Sequence, residues 1–345
     1  MNINAGIIGA TGYAGAELVR LLAAHPAVTL AALSSVSYEG KVFSEVYPAF
    51  YGVVDKLLVT EDEVIEQCDV IFASLPHGLS EKLAKKCNEK GSIFIDLGAD
   101  FRLEDEADYT EWYGLTYAQK ELHKQAVYAL PELFRSQIKS SKLLANPGCY
   151  PTSIALALAP LLKKSKIDTD SIIIDSKSGA TGAGRGLSLN THFTECNESF
   201  APYKIAQHRH TPEIEQTLSH LCGKRITVTF VPHLLPISRG ILSTIYAKLS
   251  SPITADELHG IYTDFYKDEQ FVRILKNGDI AALKAVRCSN FCDISLHLDT
   301  RTGRVVLVSA IDNMVKGAAG QAIQNMNLVL GLPEETGLKL IAPSF

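Results

Sequence analysis

The stretch that decides the fold is Asn4-Ala5-Gly6-Ile7-Ile8-Gly9-Ala10-Thr11-Gly12-Tyr13-Ala14-Gly15, near the N-terminus. It joins a short apolar run to glycines at the spacing G-x-x-G-x-x-G, and apolar residues at helical spacing follow over 16–22. Glycines between a strand and a helix let the chain turn sharply and let its backbone approach a pyrophosphate, which then lies on the helix N-terminus. The stretch therefore predicts the first β-α unit of a dinucleotide-binding domain.

Three further apolar runs, at 28–33, 70–75 and 92–97, read as buried strands, and the segment 80–89 between the last two is helical. Near-continuous apolar strands that alternate with helices are typical of a parallel sheet covered on both faces. We therefore predict an α/β protein whose first domain, residues 1–147, is a doubly wound Rossmann domain.

The pattern changes after residue 147. A helix is expected over 152–164, followed by longer strands at 171–177, 225–231, 240–249, 291–299 and 304–310. Alternating apolar and polar residues at 294–298, with a turn at 299–303, predict an antiparallel hairpin. We expect an α+β catalytic and oligomerisation domain with a mixed or antiparallel sheet over 148–312. A C-terminal helix within 313–345 is expected to pack back on the first domain.

Composition excludes several classes of function. The chain has 345 residues and a net charge of −5, which argues against binding nucleic acid or an acidic membrane surface. No stretch approaches the ~20 apolar residues of a membrane helix. The seven cysteines are scattered, which is typical of a reducing, cytoplasmic setting. Cys288 and Cys292 lack a second Cys or His pair at zinc-site spacing, so no metal is predicted.

The end of the second strand bears on cofactor choice. Ser34 and Ser35 stand there, with no Asp or Glu to take a ribose 2′-hydroxyl. Small hydroxyl residues with Lys41 just beyond suit a 2′-phosphate, so NADP is predicted over NAD. Glu39 is the nearby acid that would favour NAD.

A cysteine stands where a run of turn residues meets a helical apolar run, in Ala145-Asn146-Pro147-Gly148-Cys149-Tyr150-Pro151-Thr152. A thiol over a helix N-terminus is favoured as thiolate by the dipole and the free N–H groups. The same N–H groups can stabilise an oxyanion on a carbon that the sulfur has attacked. Cys149 is therefore a candidate nucleophile, the alternative being a buried core cysteine.

Candidate partners for this thiol lie in three other segments. His208, Arg209 and His210 precede a helix for which Thr211 is the expected N-cap, and they form a cationic corner suited to acid–base catalysis and anion binding. The glycine-rich loop 178–186 follows a strand and could contact nicotinamide or substrate, or be a flexible crossover. Arg102, beyond another strand, could bind a phosphate or carboxylate, or form a surface salt bridge.

Together these motifs resemble the N-acetyl-γ-glutamyl-phosphate reductases, a family related to aspartate-semialdehyde dehydrogenase. The resemblance extends over the whole chain; only Ser153 departs, where Gly or Ala is expected. It is carried by the segments 9–15, 75–78, 96–102, 130–132, 146–152, 178–185, 208–214 and 310–322.

The resemblance implies an NADPH-dependent reduction of an acyl phosphate to a semialdehyde in arginine biosynthesis, through a thioester on Cys149, by a homodimer or homotetramer. It implies that His208 is the acid–base, with His210 as the second candidate, and that substrate contacts come from Arg102, Arg209 and His210. The cofactor contacts it implies are Gly9, Thr11, Gly12, Tyr13, Ala14, Gly15, Ser34, Ser35, Ser74, Pro76, Gly179, Gly182 and Asn313.

Two other functions stay open at this point. The first is aspartate-semialdehyde dehydrogenase, which runs the same chemistry on an aspartyl phosphate. The histidine–arginine–histidine segment separates the two families. The second is a non-catalytic sensor of NADP redox state, which would need neither Cys149 nor the second glycine loop.

Overall fold

The computed structural model describes residues 3–345. Contacts divide them into two compact units. The first holds the residues up to Pro147 together with Ala318–Lys339, and the second holds Gly148–Gly317 together with Leu340–Phe345. The C-terminal segment thus changes unit after Gly317 rather than after residue 312.

The first unit is built on a seven-stranded parallel sheet in the order β3-β2-β1-β4-β5-β7-β6. Its strands are β1 Ile3–Ile8, β2 Val28–Ser34, β3 Leu58–Val59, β4 Val70–Ala73, β5 Ile93–Asp96, β6 Val127–Tyr128 and β7 Leu143–Ala145. Its helices before residue 147 are α1 Tyr13–Leu22, α2 Phe43–Val46, α3 Glu61–Gln67, α4 Ser80–Lys90, α5 Glu106–Tyr113, α6 Lys120–His123 and α7 Pro131–Lys139.

This sheet confirms the predicted doubly wound domain. All four residues of β4 are buried, as expected for a strand covered on both faces. The strand order reverses between β1 and β4, and parallel sheets bind ligands outside the carboxyl ends of the strands at such a switch point. The first glycine loop follows β1, so the fold places it at this switch point.

The second unit contains a seven-stranded mixed sheet in the order β12-β13-β14-β11-β8-β10-β9. Its strands are β8 Ile173–Gly179, β9 Ala201–Pro202, β10 Thr229–Leu235, β11 Ile241–Lys248, β12 Val272–Ile274, β13 Cys292–Asp299 and β14 Arg304–Ile311. Its helices are α8 Cys149–Lys163, α9 Phe193–Cys196, α10 Thr211–Cys222 and α11 Ala255–Tyr266. The predicted antiparallel hairpin is present, because Asp299 pairs with Arg304 across β13 and β14.

Two predicted boundaries in this unit are wrong. Helix α8 begins at Cys149 rather than at residue 152, because a proline is tolerated in the first turn of a helix. Strand β10 begins at Thr229 rather than at residue 225. Two amides before it are taken by side chains of α10: Ile226 N–H donates to Ser219 and Val228 N–H to Glu215.

Hydroxyl groups join α8 to the sheet of the second unit. Ser153 Oγ lies 3.1 Å from Ser243 Oγ and 3.0 Å from Ser309 Oγ, and Ser176 donates to Ser243 at 2.8 Å. All four residues are fully buried. Ser153, where Gly or Ala was expected, therefore fixes the helix on its sheet through hydrogen bonds that a smaller residue could not form.

The C-terminal helix has two parts. A π-helical turn, Val315–Ala319, leads into α12, Gly320–Val329. Helix α12 packs against α1 and α7 of the first unit, and Asn325 donates to the carbonyl of Ala129 at 2.8 Å. Among residues 3–345, no helix combines the length and the apolar character that crossing a membrane requires.

Candidate active site

The three glycines of the first loop differ in whether the fold leaves room for a side chain at their positions. Gly9 has φ +80°, and a Cβ there would lie 2.3 Å from the carbonyl oxygen of Ser74. A Cβ on Gly15 would lie 2.2 Å from the carbonyl oxygen of Gly9, whereas one on Gly12 would meet nothing closer than 3.5 Å. The fold of the chain therefore requires Gly9 and Gly15 but not Gly12. Gly12 is the N-cap of α1, and the space beside its backbone is open. A pyrophosphate could therefore approach the backbone closely at this position.

The remaining predicted cofactor residues of this loop region lie at the same edge of the sheet. Tyr13 and Ala14 form the first turn of α1, and the Tyr13 side chain is exposed. Ser74 follows β4, where its N–H donates to the carbonyl of Ile8 at the end of β1. Pro76 is exposed two residues further on. The fold thus brings these four residues to the switch point of the first unit.

The predicted hydroxyl contacts to a 2′-phosphate are only partly possible. Ser34 Oγ is buried without a hydrogen-bond partner, so this hydroxyl is not accessible to a ligand. Thr11 Oγ1 and Ser35 Oγ lie 2.6 Å apart and satisfy each other. Ser37, Glu39 and Lys41 are exposed beyond β2, and the ammonium of Lys41 lies 5.9 Å from the ring centre of Tyr38.

Arg102 does not present its guanidinium as an open fork. Its side chain is largely buried, its Nε donates to the carbonyl of Asn146 at 2.9 Å, and its Nη2 donates to the carbonyl of Leu97 at 2.8 Å. These carbonyls lie just beyond the ends of β7 and β5. Arg102 therefore braces the segment that leads into Cys149, a role that the sequence did not predict.

The acidic residues of the same motif are structural. Asp100 accepts hydrogen bonds from the N–H groups of Gly78 and Ser80 and from the hydroxyl of Tyr109, at 2.6 to 2.9 Å. Complete burial, with the nearby Asp100 carboxylate as a second cause, raises the pKa of Asp96 to about 7. The two carboxyl groups therefore fix the turns that follow β4 and β5.

In the second unit, Cys149 is the first residue of α8 and Gly148 is its N-cap. Pro151 contributes no N–H to the first turn, and the N–H of Thr152 already donates to the carbonyl of Gly148. The amides of Cys149 and Tyr150 are the first-turn groups that no carbonyl one turn back within the helix can take. They are positioned to stabilise charge on a group bound to the thiol.

Gly317 lies directly against Cys149. A Cβ added to Gly317 would be 2.8 Å from Cys149 Cβ and 3.2 Å from its Cα. Even alanine at 317 would therefore displace the cysteine. Sequence reasoning missed this residue; the run of small residues at 317–320 was its only signal.

His208 and His210 both contact the ring of Tyr150, the residue that follows Cys149. The Tyr150 ring centre lies 5.4 Å from that of His208 and 5.9 Å from that of His210. His208 Nδ1 accepts the backbone N–H of His210 at 3.1 Å, so the neutral ring carries its proton on Nε2. Burial, then the nearby cations Lys204 and Arg209, lower the pKa of His208 to about 4. His208 is therefore a neutral imidazole that offers an Nε2–H donor.

Glu213 connects the histidine segment to the cysteine loop. Its side chain is fully buried, and its Oε1 accepts the N–H of Gly148 at 2.7 Å. The predicted N-cap is wrong, because His210 occupies that position and the hydroxyl of Thr211 is buried without a partner. In the sequence alone, Glu213 reads only as an acidic residue in the first turn of this helix. Its contact with a segment so distant in the chain carries no local signal.

The second glycine loop is held by Asn313. A Cβ on Gly179 would lie 2.6 Å from the carbonyl oxygen of Ser238, so this glycine serves close backbone packing. Asn313 is buried; its Nδ2 donates to Thr181 at 3.0 Å and its Oδ1 accepts the N–H of Gly240 at 2.7 Å. A Cβ on Gly182 would come no closer than 3.4 Å to any atom. Gly182 is thus the open position of this loop, beside Asn313.

The described residues contain neither a cluster of metal ligands nor a disulfide. No three His, Cys, Asp or Glu side chains within 3–345 are grouped to hold a metal ion. All seven cysteines lie in that range and are free thiols.

Known proteins share both parts of this architecture. Residues 4–141 match the family model described as "Semialdehyde dehydrogenase, NAD binding domain", and residues 149–313 match "Semialdehyde dehydrogenase, dimerisation domain". Aspartate semialdehyde dehydrogenase II of Vibrio cholerae has the same fold, with a TM-score of 0.74 at 18% identity over 96% of this chain and 99% of that one. The NADP complex of the Candida albicans enzyme gives 0.71 at 16%, with the same coverage. Fold and domains define a semialdehyde dehydrogenase-type protein.

Sequence identity shows to which family of semialdehyde dehydrogenase-type proteins the chain belongs. It is 61% identical to the N-acetyl-gamma-glutamyl-phosphate reductase of Brachyspira hyodysenteriae, over 99% of this chain and 100% of the relative. The reductase of Clostridium beijerinckii is 58% identical, again over 99% and 100%. The chain belongs to the N-acetyl-gamma-glutamyl-phosphate reductase family. This confirms the resemblance carried by its motifs.

Proposed function

We propose that the protein reduces N-acetyl-L-glutamyl 5-phosphate to N-acetyl-L-glutamate 5-semialdehyde and phosphate, with NADPH, in arginine biosynthesis. Relatives that carry this name align over nearly the whole chain. The observation that carries the chemistry is Cys149 as first residue of α8, on a loop that Glu213 ties to the His208 segment. We assign the protein to the cytoplasm, because its seven cysteines are scattered along the chain, as is typical of proteins from a reducing compartment.

The first half-reaction forms a thioester. The Cys149 thiolate attacks the acyl carbon, the amides of Cys149 and Tyr150 stabilise the tetrahedral oxyanion, and the C–O bond to phosphate breaks. The phosphate released takes up the one proton that the overall reaction consumes. Arg209 and His210 supply the anion-binding groups for this phosphate or for the substrate carboxylate.

The second half-reaction reduces the thioester. When bound, NADPH supplies the hydride for the thioester carbonyl. The Nε2–H of His208 donates a hydrogen bond to the carbonyl oxygen as negative charge develops there. Collapse of the oxyanion breaks the C–S bond and returns a thiolate, so no proton has to leave His208. A neutral histidine therefore suffices, and His208 is preferred to His210 because its Nδ1 contact fixes the tautomer.

Residues of the first glycine loop and of the segment beyond β2 are suited to binding NADPH. The open backbone at Gly12, flanked by Thr11, Tyr13 and Ala14, would hold the pyrophosphate. Lys41 would take a 2′-phosphate, because no acidic side chain ends β2. Ser35 would join it only by giving up its hydrogen bond to Thr11. We propose that Ser74, Pro76, Gly182 and Asn313 complete the contacts, and that the preference is for NADPH over NADH.

Replacement of the nucleophile tests the proposal. Cys149→Ser should lower phosphate-dependent NADP⁺ reduction by the semialdehyde by about 10³-fold or more. Cys222→Ser is the matched control, because this thiol at the end of α10 donates only to nearby carbonyls and should leave turnover unchanged. Substantial turnover by Cys149→Ser would contradict the thioester route. Faster oxidation of aspartate semialdehyde than of N-acetylglutamate semialdehyde by the native protein would contradict the substrate.

A further inference from the structure

A buried carboxylate lies directly beyond the last strand of the second unit. Asp312 follows β14, and its side chain is fully buried. The two half-reactions described above give it no part. A carboxylate is costly to remove from water unless hydrogen bonds and opposite charge compensate it, so a fully buried one is held by its neighbours. The contacts of Asp312 therefore indicate what it stabilises.

The carboxylate of Asp312 accepts three backbone N–H groups. Its Oδ1 accepts the N–H of Met314 at 2.8 Å and that of Val315 at 3.2 Å. Its Oδ2 accepts the N–H of Cys288 at 2.6 Å. Arg239 Nη1 lies 3.7 Å from the same oxygen and supplies a positive charge. Both oxygens are thus engaged, and two of the three amides stand at the start of the π-helical turn.

The backbone carbonyl of Asp312 completes this turn. It accepts the N–H of Gly317 at 3.0 Å, five residues further along, which is the hydrogen bond of a π-helix. Single π-helical turns are rare and occur frequently at functional sites. An α-helix closes its hydrogen bonds over four residues. Without the contacts of Asp312 the chain could adopt that tighter form, which would rotate Gly317 away from its present position.

Gly317 is the residue of this turn that borders the nucleophile. A Cβ added to it would lie 2.8 Å from Cys149 Cβ, so the turn and the cysteine are in close contact. Gly317, Asp312 and Cys149 all belong to the second unit. Two buried carboxylates therefore fix the cysteine. Glu213 acts through the loop before it, and Asp312 acts through the turn packed against it.

We propose that Asp312 is a positioning residue for the nucleophile. Its buried carboxylate and its carbonyl hold the π-helical turn in the form that sets Gly317 against Cys149, and this contact keeps the thiol in place at the start of α8. The placement of the thiol stands on these contacts alone. The effect on turnover rests on the function proposed above, because it requires that this thiol attack the acyl phosphate.

Alkylation of Cys149 by iodoacetamide measures this placement without substrate. Mass spectrometry of the peptide that contains Cys149 gives the rate across a range of pH. Asp312→Asn keeps the shape of the side chain but cannot accept all three N–H groups, because one oxygen is replaced by an amide donor. Alkylation at neutral pH should slow about tenfold or more, and the midpoint of the pH profile should rise toward the ~8.5 of an ordinary thiol.

The direction of this shift separates positioning from electrostatics. Loss of a nearby negative charge favours the thiolate, so by itself it would lower the midpoint. Asp293→Asn is the matched control, because Asp293 is a buried carboxylate of the same sheet, bound to Arg273 at 2.6 and 2.9 Å. It should unfold at lower urea concentration but keep the native alkylation profile.

Gly317→Ala is the second variant, and it decides the matter if Asp312→Asn does not fold. It leaves Asp312 intact and displaces Cys149 directly, so it should reproduce the slowed alkylation. A native or lowered midpoint in folded Asp312→Asn, or native alkylation of Gly317→Ala, would overturn the positioning role. The same slowing in Asp293→Asn would also overturn it, because any loss of a buried carboxylate would then suffice.

Turnover is measured on the same samples. In folded Asp312→Asn, kcat should fall about tenfold or more while KM for NADP⁺ stays within about twofold, because the first glycine loop belongs to the other unit. Slowed alkylation with native kcat would contradict the effect on turnover. A native protein that does not reduce the acyl phosphate would count against the proposed function, and alkylation would still decide the role of Asp312.

Discussion

At the scale of single residues, the most consequential contact is the hydrogen bond from Gly148 to Glu213. Glu213→Ala would leave a buried N–H without its acceptor, which costs about 1–3 kcal/mol of unfolding free energy. It should also loosen the loop before Cys149 and lower kcat roughly 10- to 100-fold. Urea unfolding and steady-state kinetics measure the two effects.

Glu213→Gln is the informative control, because its amide oxygen can still accept the Gly148 N–H. It should retain most of the stability and turnover that alanine removes. Glutamine as impaired as alanine would show that the negative charge matters, rather than the hydrogen bond that positions the loop.

His208 predicts an unusual pH dependence. Because its pKa is lowered to about 4, the acid limb of kcat/KM for the free enzyme should have its midpoint near 4 rather than near 6.5. Between these values the unfolded chain binds a proton that the folded chain does not. His208 therefore makes folding stability rise with pH across this window, and that contribution is lost as the pH falls.

Lys204→Ala should move this acid limb to higher pH, because it removes one of the cations that disfavour the protonated ring. The pH–rate profile of each protein is the measurement. A limb near 6.5 in the native protein, unmoved by the Lys204 substitution, would contradict the assignment of His208 as a buried neutral donor.

At the scale of elements, the first glycine loop separates folding from ligand binding. Gly12→Ala should keep the melting temperature of the free protein and weaken NADPH binding at least tenfold, because the added methyl enters open space rather than the protein. Gly15→Ala should destabilise the fold itself, since its Cβ would meet backbone at 2.2 Å.

Thermal unfolding with and without NADPH, together with a fluorescence titration, distinguishes these outcomes. Gly260→Ala in α11 is the control, because nothing lies within 4 Å of its added Cβ and its φ is ordinary. It should bind NADPH normally and stabilise the helix by up to about 1 kcal/mol. Native affinity in Gly12→Ala would show that this glycine does not face the cofactor.

The sequence predicted the long elements well and the short ones poorly. Strands such as β1 and β14 were found because apolar runs of their length carry a clear period. The strands β3 and β6, two residues each, carry none. The start of β10 was misjudged because side chains of α10 take its neighbouring amides, which is a tertiary effect.

The residues of the candidate site likewise divide into those that a local sequence pattern marks and those that only tertiary contacts reveal. Cys149 and His208 stand in local turn and helix-start patterns, so their types and spacing were readable. For Arg102, the carbonyls that take part of its guanidinium, such as that of Asn146, come from elsewhere in the chain and carry no local signal. Its contact with the substrate stays a prediction. Gly317 and Glu213 act through contacts that no local pattern encodes.

At the scale of the whole molecule, fold and substrate are specified separately. An aspartate semialdehyde dehydrogenase shares this fold at 18% identity, so the fold alone does not specify the substrate. Identity of 61% to a named reductase narrows the family. The sequence could therefore indicate both the class and the family of the protein.

The hydrogen bond between Gly148 and Glu213 also has a consequence for biosynthesis of the protein. Its partners are 65 residues apart, and closing a loop of that length costs about 4 kcal/mol of chain entropy before other contacts form. We therefore expect the cysteine to gain its helix start and its histidine neighbour only when the two segments have come together. In a nascent or partly folded chain, this thiol should react more slowly with an alkylating agent than in the folded enzyme, because the helix N-terminus that favours its thiolate is not yet formed.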